Sequence, residues 1–292
     1  MKLQILLTVL FPIVASAAAD LPQTPQRFAV TSGKLLAEGE KPPGEAVITV
    51  YHPAQGNGAA ALIYPGGAYC CLVVDAEGKK IAKWFSEHGV TGVVVEYRLP
   101  GGNSSIPLAD AQRATRMVRA HALEWHLDPK RIGNIGFSAG GHLASTAATH
   151  FDLGNPNDKD PIERQSCRPD FSILVYPVIT MGEKTHGGSR SMLLGNSPDA
   201  KALELFSNEK QVSNHTPPTF LVHAQDDTLV SPVNSEMYYA ALQKNKVPSE
   251  YLRLPSGGHG LNGNQGPVWE VWKTACLKWL ANQKLIRPSD AS

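Results

Sequence analysis

The chain has little of what builds metal centres and disulfide-stapled domains. Four cysteines in 292 residues are too few and too scattered for a disulfide scaffold. Cys70 and Cys71 are neighbours, and a bond between neighbours is strained, so any bridge would reach Cys167 or Cys276; buried free thiols fit the spacing equally. No cysteine has metal-ligand spacing, and neither His-Glu-x-x-His nor paired Cys-x-x-Cys occurs. No metal and no cofactor are expected. An excess of one charge is missing too: 27 Lys and Arg face 26 Asp and Glu, with no run of like sign. That excludes a basic face for nucleic acid and a patch for an anionic polymer or membrane surface. Past the N-terminus, no apolar stretch is long enough to span a bilayer.

What is present is a foldable α/β composition. At 42% hydrophobic and 18% charged, the chain can bury a substantial core and is not disordered. It opens with Met1-Lys2, an apolar run over residues 3–14 broken at Pro12, and Ala15-Ser16-Ala17. A basic start, a run too short to cross a membrane and a small-x-small site read as a secretory signal over residues 1–17, cut after Ala17 or Ala19. The expected location is secreted or periplasmic, with no stable membrane insertion after cleavage. Residues 18–44, interrupted by Pro, Gly and Lys, read as a leader lying on the domain that follows.

From residue 47 the pattern alternates. Short apolar runs at 47–51, 59–64, 90–95, 132–137, 171–176, 219–222 and 249–254 read as strands, several of them β-branched and buried on both faces. Between them, 77–88, 107–125, 234–245 and 267–283 carry apolar residues at helical spacing. Such alternation implies a mostly parallel sheet with helices on both faces and a site at the carboxyl ends of the strands. The polar connection at 180–216, with a short helical piece near 199–206, is long enough to suggest a functional role.

Chemistry concentrates in Gly136-Phe137-Ser138-Ala139-Gly140, which lies between a predicted strand and a small-residue, helix-compatible run. A serine on so sharp a strand-to-helix turn needs neighbours without side chains two before and two after, and it presents its hydroxyl beside the free amides of the helix start. Ser138 is the candidate nucleophile, and the amide of Ala139 a candidate oxyanion donor. A hydroxyl needs a base, and the base needs an orienting acid. Asp226-Asp227 and His259 follow later strands in the order Ser, Asp, His. His142 reads as a packed or supporting histidine, His223 as support for the acid loop, and Asp110 with Arg113 as a structural ion pair. Trp84, Trp125, Trp269, Trp272 and Trp279 read as helix-to-sheet packing.

With these motifs the chain resembles the α/β-hydrolase superfamily, and within it small secreted esterases related to acetylxylan esterases and to the catalytic domains of prolyl oligopeptidases. The resemblance covers residues 47–280. It implies a single catalytic domain over 45–285 and, from the family's Asp-x-x-Val turn, Asp227 rather than Asp226 as the acid. It likens Gly257-Gly258-His259-Gly260 to the family's histidine loop and Pro65-Gly66-Gly67-Ala68-Tyr69 to its His-Gly-Gly-Gly oxyanion loop. Two positions depart: Pro65 replaces histidine and Ala68 replaces the third glycine. Which amides of residues 66–68 face the serine stays open; Gly67 and Ala68 are expected to join Ala139, Ala68 on condition that its φ is negative. The implied function is hydrolysis of small-molecule or polysaccharide esters, acetyl on xylan foremost. A feruloyl or aryl ester, with Tyr69 or Tyr176 facing the aromatic acyl group, is the alternative, followed by a peptidase or a non-catalytic binding protein. Activity should fall below about pH 6.5 to 7, where an ordinary imidazole gains its proton. The oligomeric state is not legible.

Overall fold

The computed structural model of the chain describes residues 21–291. The signal pattern at residues 1–17 and the cleavage positions after Ala17 and Ala19 lie outside the described residues. Among the described residues, no helix is long and apolar enough to cross a membrane.

Nine strands form one sheet: β1 (Gln26–Ala29), β2 (Leu35–Leu36), β3 (Val47–Tyr51), β4 (Ala60–Tyr64), β5 (Thr91–Glu96), β6 (Ile132–Phe137), β7 (Ser172–Val175), β8 (Thr219–Ala224) and β9 (Ser249–Leu254). Their order is β2-β1-β3-β5-β4-β6-β7-β8-β9. Strands β4 to β9 are parallel, while β3, β1 and β2 add an antiparallel edge. The short strands β1 and β2 lie inside the stretch that reads as a leader.

Among the described residues, eight α-helices connect and cover the strands: α1 (Lys80–Glu87), α2 (Ser105–Ala120), α3 (Ala139–Thr149), α4 (Gly187–Leu194), α5 (Ala200–Leu205), α6 (Val233–Lys244), α7 (Leu261–Asn264) and α8 (Gly266–Asn282). Successive side chains of a strand point to opposite faces, and β4 shows how both are filled. Ala60, Leu62 and Tyr64 join a core with Ala111 and Val118 of α2, Leu143 of α3 and Leu242 of α6. Ala61 and Ile63 join the opposite core with Phe85 of α1 and Trp272 of α8. With both faces buried, central strands such as β4 and β7 have to be nearly continuous apolar runs, as they are. Trp84, Trp269, Trp272 and Trp279 pack in the second core and Trp125 in the first.

Asp110 and Arg113 do not pair with each other. The buried Asp110 carboxylate takes the Arg98 guanidinium at 2.6 Å and the Arg98 amide at 2.8 Å, while Arg113 reaches Asp160 and Glu163, each at 2.7 Å. Helical spacing makes the two residues neighbours, but each finds a better-shaped partner on another segment. The four cysteines are free, Cys70 and Cys71 exposed, Cys167 and Cys276 buried.

The long polar connection is more structured than its composition suggests. It forms α4 and α5, and it returns against α3 through Asn208, whose side-chain amide donates to the His142 carbonyl at 3.1 Å and the Ser145 hydroxyl at 2.7 Å.

Candidate active site

The sheet register brings two loops level. Tyr64 at the end of β4 pairs with Gly136 near the end of β6, so the Pro65 loop and Ser138 leave the sheet side by side. Ser138 has φ +53° and ψ −119°, a strained conformation for a residue with a side chain. Its amide donates to Val175 O at 3.1 Å, and its carbonyl accepts from His142 N and Val178 N at 3.2 and 3.0 Å. These bonds hold the strained turn in place.

Glycine is required on either side. A Cβ on Gly136 would lie 2.1 Å from the Gly140 carbonyl oxygen, and one on Gly140 would lie 2.1 Å from that of Tyr64. Backbone blocks both positions, so nothing flexible can give way. Gly140→Ala is expected to lower stability by about 3 kcal/mol or more, which the midpoint of urea denaturation would show; an unchanged midpoint would contradict this close approach.

Ser138, His259 and Asp227 come together. The His259 Nε2 atom is 2.9 Å from Ser138 Oγ, and Nδ1 is 2.8 Å from Asp227 Oδ2. With Nδ1–H donating to the carboxylate, Nε2 is the lone-pair nitrogen that accepts the Ser138 hydroxyl. Asp227 Oδ1 accepts the amides of Leu229 and Val230, both at 3.0 Å. His223 donates from Nε2 to Asp227 Oδ2 at 3.1 Å, while its Nδ1 accepts the Ser235 hydroxyl at 2.8 Å. Burial alone would raise the Asp227 pKa, but the hydrogen bonds from His223, His259 and the Val230 amide outweigh it and hold the carboxyl well below the usual range. Asp226 points elsewhere: its exposed carboxylate accepts the amides of Gly257 and Gly258 at 3.2 and 2.8 Å and so secures the loop that carries His259.

The Pro65 loop takes a left-handed turn. Gly67, Ala68 and Tyr69 have φ of +125°, +52° and +62°, so the condition of a negative φ at Ala68 is not met, and any donation from its amide depends instead on its place at the head of a left-handed turn. The Gly67 carbonyl accepts the amides of Cys70 and Cys71 at 3.0 and 3.1 Å, closing the turn. As at the start of any helical turn, the first amides then lack partners within the turn. The loop is anchored at three points. Tyr97 donates its hydroxyl to Pro65 O at 2.8 Å, the Gly66 amide donates to Glu77 Oε2 at 2.7 Å, and Tyr69 donates its hydroxyl to His142 Nδ1 at 2.9 Å. A Cβ on Gly66 would sit 3.0 Å from Ser138 Cβ, which shows how tightly the loop lies against the serine. Ala139 is the first residue of α3, where the amide has no partner within the helix.

Tyr69 and Tyr176 do not face an acyl group: both are fully buried, with their hydroxyls committed to His142 and Glu77. The hydroxyl of Tyr176 donates to Glu77 at 2.8 Å, and its ring meets that of His259 edge-on at 4.9 Å between centroids. Sequence reasoning missed Glu77, which reads there as the first residue of an amphipathic helix. The adjoining Gly78, closed against Val94, is its one signal.

His142 joins the Pro65 loop to the long connection: Nε2–H donates to Phe206 O at 2.8 Å, leaving Nδ1 to accept from Tyr69. Burial lowers its pKa to about 4. Because the folded value lies below the unfolded one of about 6.5, His142 adds stability above pH 6.5, and this is lost as pH falls towards 4; the full term is on the order of 3 kcal/mol. Burial also lowers the pKa values of His52 and His150, which act in the same direction. The stability of His142→Gln should therefore depend less on pH than the parent's between pH 6.5 and 4, and parallel curves would contradict a neutral buried His142.

The sequence profile of the BD-FAE family matches residues 48–242. The chain belongs to the BD-FAE family. The matched span includes Ser138 and Asp227, and His259 follows it. An acetylxylan esterase of Xylanibacter ruminicola is 37% identical over 244 residues, 82% of this chain and 48% of that protein. Endo-1,4-beta-xylanase B of Butyrivibrio fibrisolvens is 37% identical over 215 residues, 72% of this chain and 34% of the xylanase. The chain thus spans about half and about a third of these two curated relatives. Among solved structures, an acetyl ester-xyloside bifunctional hydrolase from Caldicellulosiruptor lactoaceticus superposes with a TM-score of 0.82 at 36% identity, covering 89% of this chain and 97% of that one. The carboxylesterase Cest-2923 of Lactobacillus plantarum shares the fold, with a TM-score of 0.70 at 24% identity over 85% of this chain and 96% of its own. The fold of this BD-FAE member is the α/β-hydrolase fold.

Proposed function

We propose that this BD-FAE member is an exported serine carboxylic-ester hydrolase that removes short acyl groups, acetyl above all, from carbohydrate such as xylan. The observation that carries the chemistry is the continuous relay from Ser138 through His259 to Asp227, at 2.9 and 2.8 Å. Ser138 Oγ attacks the ester carbonyl while His259 Nε2 takes its proton. The negative charge that develops on the carbonyl oxygen falls to the amides of Gly67, Ala68 and Ala139, which have no other partner in their own turns. His259 then passes the proton to the departing alcohol, and an acyl-Ser138 intermediate remains. Water, deprotonated by the same imidazole, attacks that ester and restores the serine. Asp227 fixes the His259 tautomer and balances the imidazolium charge that forms in each step.

The carbohydrate substrate is supported by the acetylxylan esterase and the acetyl ester-xyloside hydrolase among the relatives. The polar composition of the long connection agrees with it, because an enzyme working at an oil surface needs an apolar lid. Export rests on the N-terminal pattern, and a single catalytic domain over residues 45–285 on the run of alternating strands and helices. Hydrolysis of 4-nitrophenyl acetate, butyrate and octanoate, together with acetate release from acetylated xylan, tests the reading. Turnover should fall with chain length and acetate should appear. Preference for octanoate, with no acetate released, would overturn the acyl and carbohydrate assignment.

A further inference from the structure

Glu77 is a buried carboxylate that the relay does not use, yet it touches three segments of the site. Its Oε2 accepts the Gly66 amide at 2.7 Å; its Oε1 accepts the Tyr176 hydroxyl at 2.8 Å and lies 3.4 Å from the Asn264 side-chain amide. Gly66 belongs to the oxyanion loop, Tyr176 follows β7 and packs on the His259 ring, and Asn264 ends the turn after His259. The backbone is shaped to deliver this carboxylate. Residues Asp75–Lys79 form a π-helical turn, with Lys79 N–H donating to Val74 O at 2.8 Å. A turn of that width is uncommon and is frequent at functional sites.

We propose that Glu77 is a positioning residue for ester hydrolysis: by accepting the Gly66 amide it fixes the peptide ahead of Gly67, so that the next amides face the oxygen of the reacting carbonyl. The inference rests on the esterase reading above. Gly66 has no freedom to settle elsewhere, because its α-carbon is wedged between the carboxylate and the nucleophile. A Cβ there would meet Glu77 Oε2 at 2.7 Å, Phe137 O at 2.9 Å and Ser138 Cβ at 3.0 Å. If the carboxylate withdraws, the loop loses the contact that sets its distance from Ser138. An oxyanion donor moved by about 1 Å loses most of its value, since its hydrogen bond forms only in the transition state. Tyr176 and Asn264 occupy the second oxygen and keep the carboxylate from turning. Burial raises the Glu77 pKa, and the hydrogen bonds from Tyr176, the Gly66 amide and Asn264 offset only part of that rise.

Two variants separate positioning from charge and from bulk. Glu77→Gln keeps the length and one acceptor oxygen for Gly66, and its NH2 can donate to Tyr176 and Asn264 if that hydroxyl reverses and the Asn264 amide turns its oxygen inward. Glu77→Asp keeps the charge but draws the acceptor back by about one bond length, roughly 1.5 Å. On 4-nitrophenyl acetate, kcat of Glu77→Asp should fall about 100-fold with KM within threefold, and Glu77→Gln should stay within about fivefold of the parent. A short alkyl boronic acid, which forms a tetrahedral adduct on the serine, should bind Glu77→Asp more weakly by the same factor as kcat falls. A general loss of stability would not produce that match. Glu77→Asp that folds and keeps kcat within threefold would overturn the proposal, and so would Glu77→Gln falling as far as Glu77→Asp. If Glu77→Asp does not fold, Glu77→Gln decides, because a hundredfold loss there contradicts a role through the Gly66 bond. A parent without Ser138-dependent turnover would remove the esterase reading itself; an active parent with insensitive Glu77 variants would remove only this inference.

Discussion

Ser138→Ala is expected to lower kcat for a short-chain ester by about four to six orders of magnitude, with KM within a few-fold of the parent. The alanine leaves the Pro65 loop, His259 and the rest of the site in place, so binding survives. What disappears is the oxygen 2.9 Å from His259 Nε2 and with it the covalent route. The remaining activity should be that of water activated by His259 and helped by the oxyanion amides. Because the serine and histidine act as one unit, His259→Ala should cost about as much, and the double variant little more than either alone. Parent and variants, prepared in parallel and assayed on 4-nitrophenyl acetate, decide this. A loss smaller than about 100-fold in Ser138→Ala would mean that another group carries the reaction.

Asp227→Asn should cost about three to four orders of magnitude in kcat. The carboxylate is filled from both sides: Oδ1 takes the two amides of Leu229 and Val230, and Oδ2 takes N–H donors from His259 and His223. An asparagine can keep its oxygen towards the amides only by turning its NH2 towards the two histidines. His259 Nδ1 would then have to become an acceptor, which moves the proton to Nε2 and leaves nothing to take the proton from Ser138. Two donors facing each other in a buried site also add a desolvation cost. Asp226→Asn should be far milder, because an amide oxygen can still accept from Gly257 or Gly258. Comparing the two variants on one ester measures the difference. Equal losses would contradict the assignment of the two acids to different tasks.

The parts of this molecule that the sequence makes legible are those set by local rules. Buried parallel strands such as β4 and β7 read as continuous apolar runs because both faces are covered, while the half-exposed edge strand β9 falls at residues 249–254 in pattern and in structure alike. The elbow is legible because glycine at 136 and 140 records a close approach that no side chain would permit. The strands β1 and β2 are too short, with a turn at residues 30–34 between them, to leave a pattern. Glu77 was not legible for a different reason. A glutamate at the head of an amphipathic helix normally faces water, and only the wide turn, with Gly66, Tyr176 and Asn264 arriving from distant parts of the chain, puts this one inside. Asp110 and Arg113 show the reverse case, in which helical spacing suggests a pair that tertiary partners pull apart. Ala68 shows a third: its left-handed φ follows from the Gly67 carbonyl closing a turn on Cys70 and Cys71.

The site turns on a single hydroxyl, that of Ser138, held 2.9 Å from His259 Nε2 beside the Pro65 loop. The direct test is to treat the protein with phenylmethylsulfonyl fluoride and to locate the adduct by intact and peptide mass spectrometry. One sulfonyl group per chain on the peptide containing Ser138, formed in step with loss of esterase activity and slowed in His259→Ala, is the predicted result. An adduct on another residue, or full loss of activity with Ser138 unmodified, would contradict the account.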